Sequence, residues 1–103
     1  MITTIVEFKL PKPMSVEQAR EVFLSTASKY RDMKGLIRKY YWVAPDGKTA
    51  GGIYLWQSQE AADAVYTDEW KAFVTGKYGS PPSLKFVHSP VVVDNAAGEI
   101  VSA

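Results

Sequence analysis

The sequence predicts an α+β domain in the order strand, helix, strand, strand, helix, strand. Three observations lead there. Two stretches with three- and four-residue apolar spacing alternate with four runs rich in β-branched and aromatic side chains. The breaks between them, at Pro11 and Pro13, Gly35, Pro45-Asp46-Gly47 and Pro81-Pro82, fall where each run must stop. The length, 103 residues, fits one domain spanning 1–103 and leaves little room for two. This order is the ferredoxin-like split βαβ pattern, a four-stranded antiparallel sheet with helices on one face.

Each element has a local reason. Residues 2–10 are rich in β-branched side chains and read as the first strand. Pro11 and Pro13 end it, because neither can donate to a ladder. Ser15, with Gln18 three residues on, has the capping-box spacing, and Val16, Ala19, Val22, Phe23, Ala27 and Tyr30 share one face of the helix that follows. Residues 36–44 and 48–56 read as a hairpin closed by the three-residue loop Pro45-Asp46-Gly47. Ser58 and Thr67 are N-cap candidates for a second helical stretch, with Trp70, Phe73 and Val74 on one face. Residues 84–93 form the fourth strand, interrupted at Pro90, and residues 95–103 read as a small polar tail.

Composition narrows the function. Twelve basic and eleven acidic side chains give a formal net charge of +1, which argues against nucleic acid as a partner. With no cysteine, thiolate catalysis and Cys-ligated zinc or iron–sulfur centres are excluded, and the one histidine, His88, cannot build a His-rich metal site. No apolar run approaches the ~20 residues that span a bilayer, and Met1-Ile2-Thr3-Thr4 lacks the basic flank of a signal peptide. The expectation is a soluble cytoplasmic protein with no membrane partner and no Cys- or His-built metal site.

The aromatic residues carry the functional reading: four Phe, six Tyr and three Trp. If Ala44 pairs with Lys48 across a three-residue loop, Trp42 faces Ala50, Tyr40 faces Gly52, Arg38 faces Tyr54 and Leu36 faces Trp56, all on one side of the sheet. The other side carries Ile37, Lys39, Tyr41, Val43, Ile53 and Leu55. Neither side is simply polar, whereas an antiparallel sheet with helices on one face should be wet on the other. Two apolar faces need two covers, the helices and a second copy of the chain, so a homodimer is expected. The ring-rich side, with an arginine among the rings, suits a cavity for a flat aromatic ligand.

The remaining candidates are weaker. His88 has the right intrinsic pKa for a general base, although a lone histidine is more often structural. Asp63, Asp68 and Glu69 are explained equally well as a solvated helix face and caps. Phosphate-loop, nucleophile-elbow and H-E-x-x-H spacings are absent. Ala50-Gly51-Gly52-Ile53-Tyr54-Leu55-Trp56 faintly echoes the third strand of an RNA-recognition motif, but its leading basic residue and aromatic spacing are missing.

Three strings, Gly35-Leu36-Ile37-Arg38-Lys39-Tyr40-Tyr41-Trp42, Asp46-Gly47 and Ala50-Gly51-Gly52-Ile53-Tyr54-Leu55-Trp56, are followed by Ser58 and Glu60 and, near the end, by Val91-Val92-Val93-Asp94-Asn95. Together they resemble the small bacterial mono-oxygenase family typified by YdhR, over nearly the whole chain. The resemblance implies a dimeric α+β barrel related to antibiotic-biosynthesis mono-oxygenases, which oxidise aromatic polyketide-type substrates with O₂ and without metal, flavin or haem. In those enzymes the third strand ends in a tryptophan that faces the substrate cavity, the position of Trp56. The asparagine they carry four residues earlier is Gly52 here, a departure that touches the chemistry. Haem-degrading relatives use a Trp, an Asn and a His, and Trp70, His88 and Asn95 do not align to that pattern.

The reading is then a cofactor-independent mono-oxygenase for a small phenol-, anthrone- or quinol-like substrate. Arg38, Tyr40, Tyr54 and His88 are its candidate catalytic residues. Trp42, Gly52, Trp56, Trp70 and Phe73 are its candidate substrate contacts. The alternatives are a non-catalytic dimer that binds a small ligand, and rings packed tightly with no cavity.

Overall fold

The structure, a computed structural model, describes residues 1–102. Its elements follow the expected order, with additions near the C-terminal end: β1 Ile2–Lys9, α1 Val16–Tyr30, β2 Leu36–Val43, β3 Thr49–Trp56, α2 Gln59–Asp63, α3 Asp68–Tyr78, β4 Ser83–His88, β5 Val91–Asp94 and β6 Glu99–Ser102. Strands β2, β3, β1 and β4 form, in that spatial order, one antiparallel sheet. This is the ferredoxin-like α+β fold. Among the described residues no helix is long and apolar enough to cross a membrane.

The helices start where the capping residues stand. Ser15 Oγ accepts from the Gln18 backbone N–H, and Gln18 Oε1 accepts in return from the Ser15 N–H, at 3.1 and 2.9 Å. The second helical stretch is two helices. Ser58 Oγ accepts from Ala61 N–H at 3.1 Å and Thr67 Oγ1 from Trp70 N–H at 3.2 Å, so each cap opens its own segment. Helix α3 closes on Gly79, whose φ of 88° suits a residue without Cβ.

The β2–β3 loop differs from expectation, and the difference moves side chains across the sheet. Ala44 N–H donates to the Thr49 carbonyl at 2.9 Å, so the loop holds four residues, 45–48. Pairing therefore runs Val43 to Ala50, Trp42 to Gly51, Tyr41 to Gly52 and Lys39 to Tyr54. A slip of one residue reverses the faces of a strand. Lys39, Tyr41 and Val43 thus join Ala50, Gly52, Tyr54 and Trp56 beneath the helices, while Arg38, Tyr40 and Trp42 point to the open side. A register shift between Leu36 and Arg38 returns Leu36 to its place opposite Trp56. Gly51 is required at this crossing: a Cβ there would lie 1.8 Å from the Val6 carbonyl oxygen and 3.0 Å from Trp42 Cε2.

The core lies between sheet and helices. Ile2, Thr4, Val6 and Phe8 of β1 meet Ala19 and Phe23 of α1 and Trp70, Val74 and Tyr78 of α3, all buried. The open side keeps Ile5, Ile53 and Tyr40 at 37%, 38% and 55% exposure. Residues 91–94 and 99–102, partly within the expected tail, pair as a hairpin. Asp94 Oδ1 closes its turn by accepting from Ala96 and Ala97 N–H, both at 3.1 Å. Asp94 Oδ2 meets Arg38 at 2.5 Å and ties the hairpin to the open side of β2.

Candidate functional site

Beneath the helices the rings do not quite close. A hollow of about 20 Å³ remains, lined by Thr26 and Tyr30 of α1, Lys39 and Tyr41 of β2, Gly51, Gly52 and Tyr54 of β3, and Trp70 and Phe73 of α3, with Val6, Phe8, Val74 and Tyr78 completing its wall. That volume is about one water molecule. On the other side of Tyr30, Lys39 and Tyr41 runs a cleft of about 380 Å³ between the C-terminal end of α1 and β2. These three residues are thus the wall between an inner hollow and an outer cleft.

Hydrogen bonds fix the rings. Trp70 Nε1 donates to Tyr30 Oη at 2.9 Å. Trp56 Nε1 reaches Thr4 Oγ1 at 3.0 Å and Tyr66 Oη at 3.2 Å, and Thr4 and Tyr66 hydroxyls meet at 2.5 Å. Tyr41 Oη and Thr26 Oγ1 lie 2.9 Å apart. Tyr54 stacks on Trp56 with ring centroids 5.9 Å apart and meets Tyr30 edge-on at 5.8 Å. Burial raises the pKa values of Tyr54 and Tyr66. It raises that of Tyr41 less and pushes Tyr78 up to about 12, so all four phenols are neutral at physiological pH.

The exception among neutral polar groups is Lys39. Its Nζ lies 3.4 Å from the ring centroid of Tyr30, 3.7 Å from that of Tyr41 and 4.5 Å from that of Tyr54. Among the described residues it has no ion-pair partner. Removal from water, and secondly repulsion by Lys29, pushes its pKa down to about 6. The ring faces attract an ammonium and work against that shift. Gly52 makes the room: a Cβ there would meet Tyr54 Cε1 at 2.8 Å and Lys39 Cε at 3.3 Å.

The sequence candidates divide accordingly. Gly52, Tyr54, Trp70 and Phe73 line the hollow, and Trp56 lies behind Tyr54, wholly buried. Arg38, Tyr40 and Trp42 do not join them, because the four-residue loop turns them to the open side. There Arg38 pairs with Asp94 and donates to Tyr40 Oη at 3.3 Å. His88 sits exposed at the end of β4, opposite Ile2, and lines no part of the hollow. Lys39, Tyr30, Tyr41 and Thr26 were not singled out from the sequence. The period-two signal was present in Lys39-x-Tyr41-x-Val43, on the face opposite to the one assumed. Among the described residues no group of three His, Asp or Glu side chains is placed to hold a metal ion.

A family model described as "Putative mono-oxygenase ydhR" matches residues 4–77. The chain belongs to this family. No curated protein matches the chain. Among solved structures, this ydhR-family chain is similar to a monooxygenase from the gene ActVA-Orf6 of Streptomyces coelicolor, determined with nanaomycin D, at 18% identity and TM-score 0.66 over 89% of each chain. It is similar to SnoaB, a cofactor-independent oxygenase from Streptomyces nogalater, at 16% identity and TM-score 0.62, over 85% of this chain and 91% of that one. A putative antibiotic biosynthesis monooxygenase from Deinococcus radiodurans matches at 10% identity and TM-score 0.67, over 91% and 97%. At these identities the likeness lies in the fold, and the ydhR-family assignment rests on the family match.

Proposed function

We propose that the chain is a cytoplasmic, homodimeric, cofactor-independent mono-oxygenase whose substrate is a small aromatic with an acidic hydroxyl or methylene, such as a phenol, anthrone or quinol. The observation that carries this reading is the ring-walled hollow, separated only by Tyr30, Lys39 and Tyr41 from a cleft large enough for a fused-ring ligand. Ring entry requires the wall to give way. Lys39 is a flexible chain and Phe73 is 42% exposed, so both can swing outward.

Without a cofactor the substrate supplies the electrons. Deprotonation gives an electron-rich anion that reacts with O₂. For a methylene, both hydrogens leave, one oxygen atom forms the new carbonyl and the other departs as water. Tyr54, Trp70 and Phe73 hold the ring system and keep water out, and Tyr30 Oη, already fixed by Trp70, offers its proton to a developing oxyanion. Oxygen uptake with an anthrone, lost in Tyr54→Leu and Trp70→Phe and kept in Arg38→Ala, is the expected pattern. Uptake absent from the parent across phenols, anthrones and quinols would contradict it.

A non-catalytic ligand-binding dimer is the second reading, and Gly52 favours it, because the polar side chain of the antibiotic-biosynthesis enzymes has no counterpart at that position. Thermal stabilisation by an aromatic ligand without turnover would select it.

The second copy is proposed to cover the open side. Ile5, Ile53 and Tyr40 are exposed there. Beside them the indole nitrogen of Trp42 is buried without a hydrogen-bond partner, a state costing about 1–3 kcal/mol.

A further inference from the structure

Most polar side chains near the hollow have partners in the fold. The Tyr30, Tyr41, Tyr66, Trp56 and Trp70 polar atoms are all hydrogen-bonded. The amine of Lys39 is held by ring faces alone. A methionine of similar length would fill the same space without the cost of taking an amine out of water. Lys39 is also the only amine, imidazole or carboxylate among the residues that line the hollow. The other candidate bases lie elsewhere: His88 is at the end of β4, and Arg38 is engaged with Asp94 on the open side.

We propose that Lys39 is the general base of the site, accepting the acidic proton of the aromatic substrate on Nζ and then holding the resulting anion as its ammonium partner. This rests on the oxygenase reading above and deepens it. In the step itself, the substrate O–H or C–H bond breaks and its proton forms the third N–H bond of Nζ. The electron pair stays on the substrate as phenolate or enolate. No oxidant takes part until O₂ meets the anion, and the ammonium later returns its proton to the departing oxygen.

The surroundings suit both halves of the cycle. With its pKa at about 6 the amine is a free base at neutral pH. Once protonated, it faces Tyr30, Tyr41 and Tyr54 ring faces that favour a cation. The charged and titratable groups turned toward it are Lys29 and Tyr30 from α1, Tyr41 from its own strand and Tyr54 from β3. From α3 come Tyr78, a neutral phenol on the wall of the hollow, and Trp70 and Phe73, which do not titrate; on the cleft side stand Arg31, Asp32 and Arg38. Lys29 and, along the cleft, Arg31 and Arg38 outnumber the single carboxylate Asp32, a surplus that suits the anion left by deprotonation. Because Lys39 lines both hollow and cleft, a ligand entering by the cleft meets this side chain.

The test uses 2-naphthol, a phenol that is neutral in buffer at neutral pH and whose phenolate absorbs and emits at longer wavelength. The parent is expected to bind a larger fraction of it as the ionised form than Lys39→Met, which preserves length and packing. In parallel, kcat/KM for oxygen uptake with an anthrone should rise through pH about 6 in the parent. It should fall by about 10²-fold or more in Lys39→Met. Lys39→Arg carries a permanent positive charge and should bind the ionised naphthol, but it cannot take up the substrate proton and should lose that pH limb. Circular dichroism establishes that each variant is folded. An ionised naphthol spectrum and an unchanged pH limb in Lys39→Met would overturn the base and leave the oxygenase reading standing. A parent that neither binds 2-naphthol nor consumes oxygen would overturn both.

Discussion

The two faces of the sheet are built from the same kinds of residue and end in opposite states. On the helix side, Tyr54, Trp56 and Tyr41 are enclosed, and the indoles of Trp56 and Trp70 each reach a hydroxyl. On the open side, Tyr40, Ile5 and Ile53 meet solvent, and the Trp42 indole is buried without an acceptor. A satisfied aromatic face can shape a hollow and set the protonation of what lies in it. An unsatisfied one calls for a cover. The comparison teaches that aromatic content alone does not mark a site; what the enclosed rings surround does, here an amine held by ring faces without a hydrogen-bond partner.

The comparison can be broken most severely at Trp56. It is 0% exposed, and Trp56→Ala removes the stack on Tyr54 and the anchor for Thr4 and Tyr66. A loss of about 3–5 kcal/mol in urea unfolding is expected. Gly52→Ala should cost less, about 1–3 kcal/mol, because the groups a methyl meets are the Tyr54 ring and the far end of Lys39, which can shift. It should weaken ligand binding more than it lowers stability. On the open side, Ile53→Glu should leave the subunit folded and halve the mass seen in sedimentation.

Smaller effects sharpen the contrast. Between pH about 6 and about 10.4 the unfolded chain keeps a proton on Lys39 that the folded chain has released. Raising the pH across that window therefore favours the folded state. Lys39→Met should flatten that slope and be the more stable form at neutral pH, read by denaturant titration at several pH values. The smallest change is expected from Arg38→Ala. Asp94, and secondly Tyr40, raise the pKa of Arg38, and Arg38 lowers that of Asp94, through a pair at the surface, so loss of Arg38 should loosen the β5–β6 hairpin in amide exchange with little change in the global transition.

The order of elements was legible because its signals are local. Ser15 with Gln18, Ser58, Thr67 and Gly79 act on their own backbone neighbours, and the structure places each at a helix end. The membership of Tyr54, Trp56, Gly52, Trp70 and Phe73 in the enclosed side was legible from the alternation of β3 and the face of α3. The side taken by β2 was not. It depends on whether Lys48 belongs to the loop or to the strand, and Pro45-Asp46-Gly47 is compatible with either. With a period of two, that single residue exchanged Arg38, Tyr40 and Trp42 for Lys39, Tyr41 and Val43. The β5–β6 hairpin was missed for a different reason. Its strands are four residues each, and its turn at Gly98, with φ of 70°, lies in a stretch whose composition reads as a tail.

The three tryptophan indoles report on the division of the sheet directly, one on the open side and two beneath the helices. The most direct measurement is a ¹H–¹⁵N spectrum of the indole N–H groups, recorded first on dilution and then on adding an anthrone or 2-naphthol. Ligand should move the Trp70 and Trp56 signals and leave Trp42 in place, while dilution should move Trp42 alone. Ligand-dependent movement confined to Trp42, with Trp56 and Trp70 unmoved, would place the binding site on the open side and contradict the account.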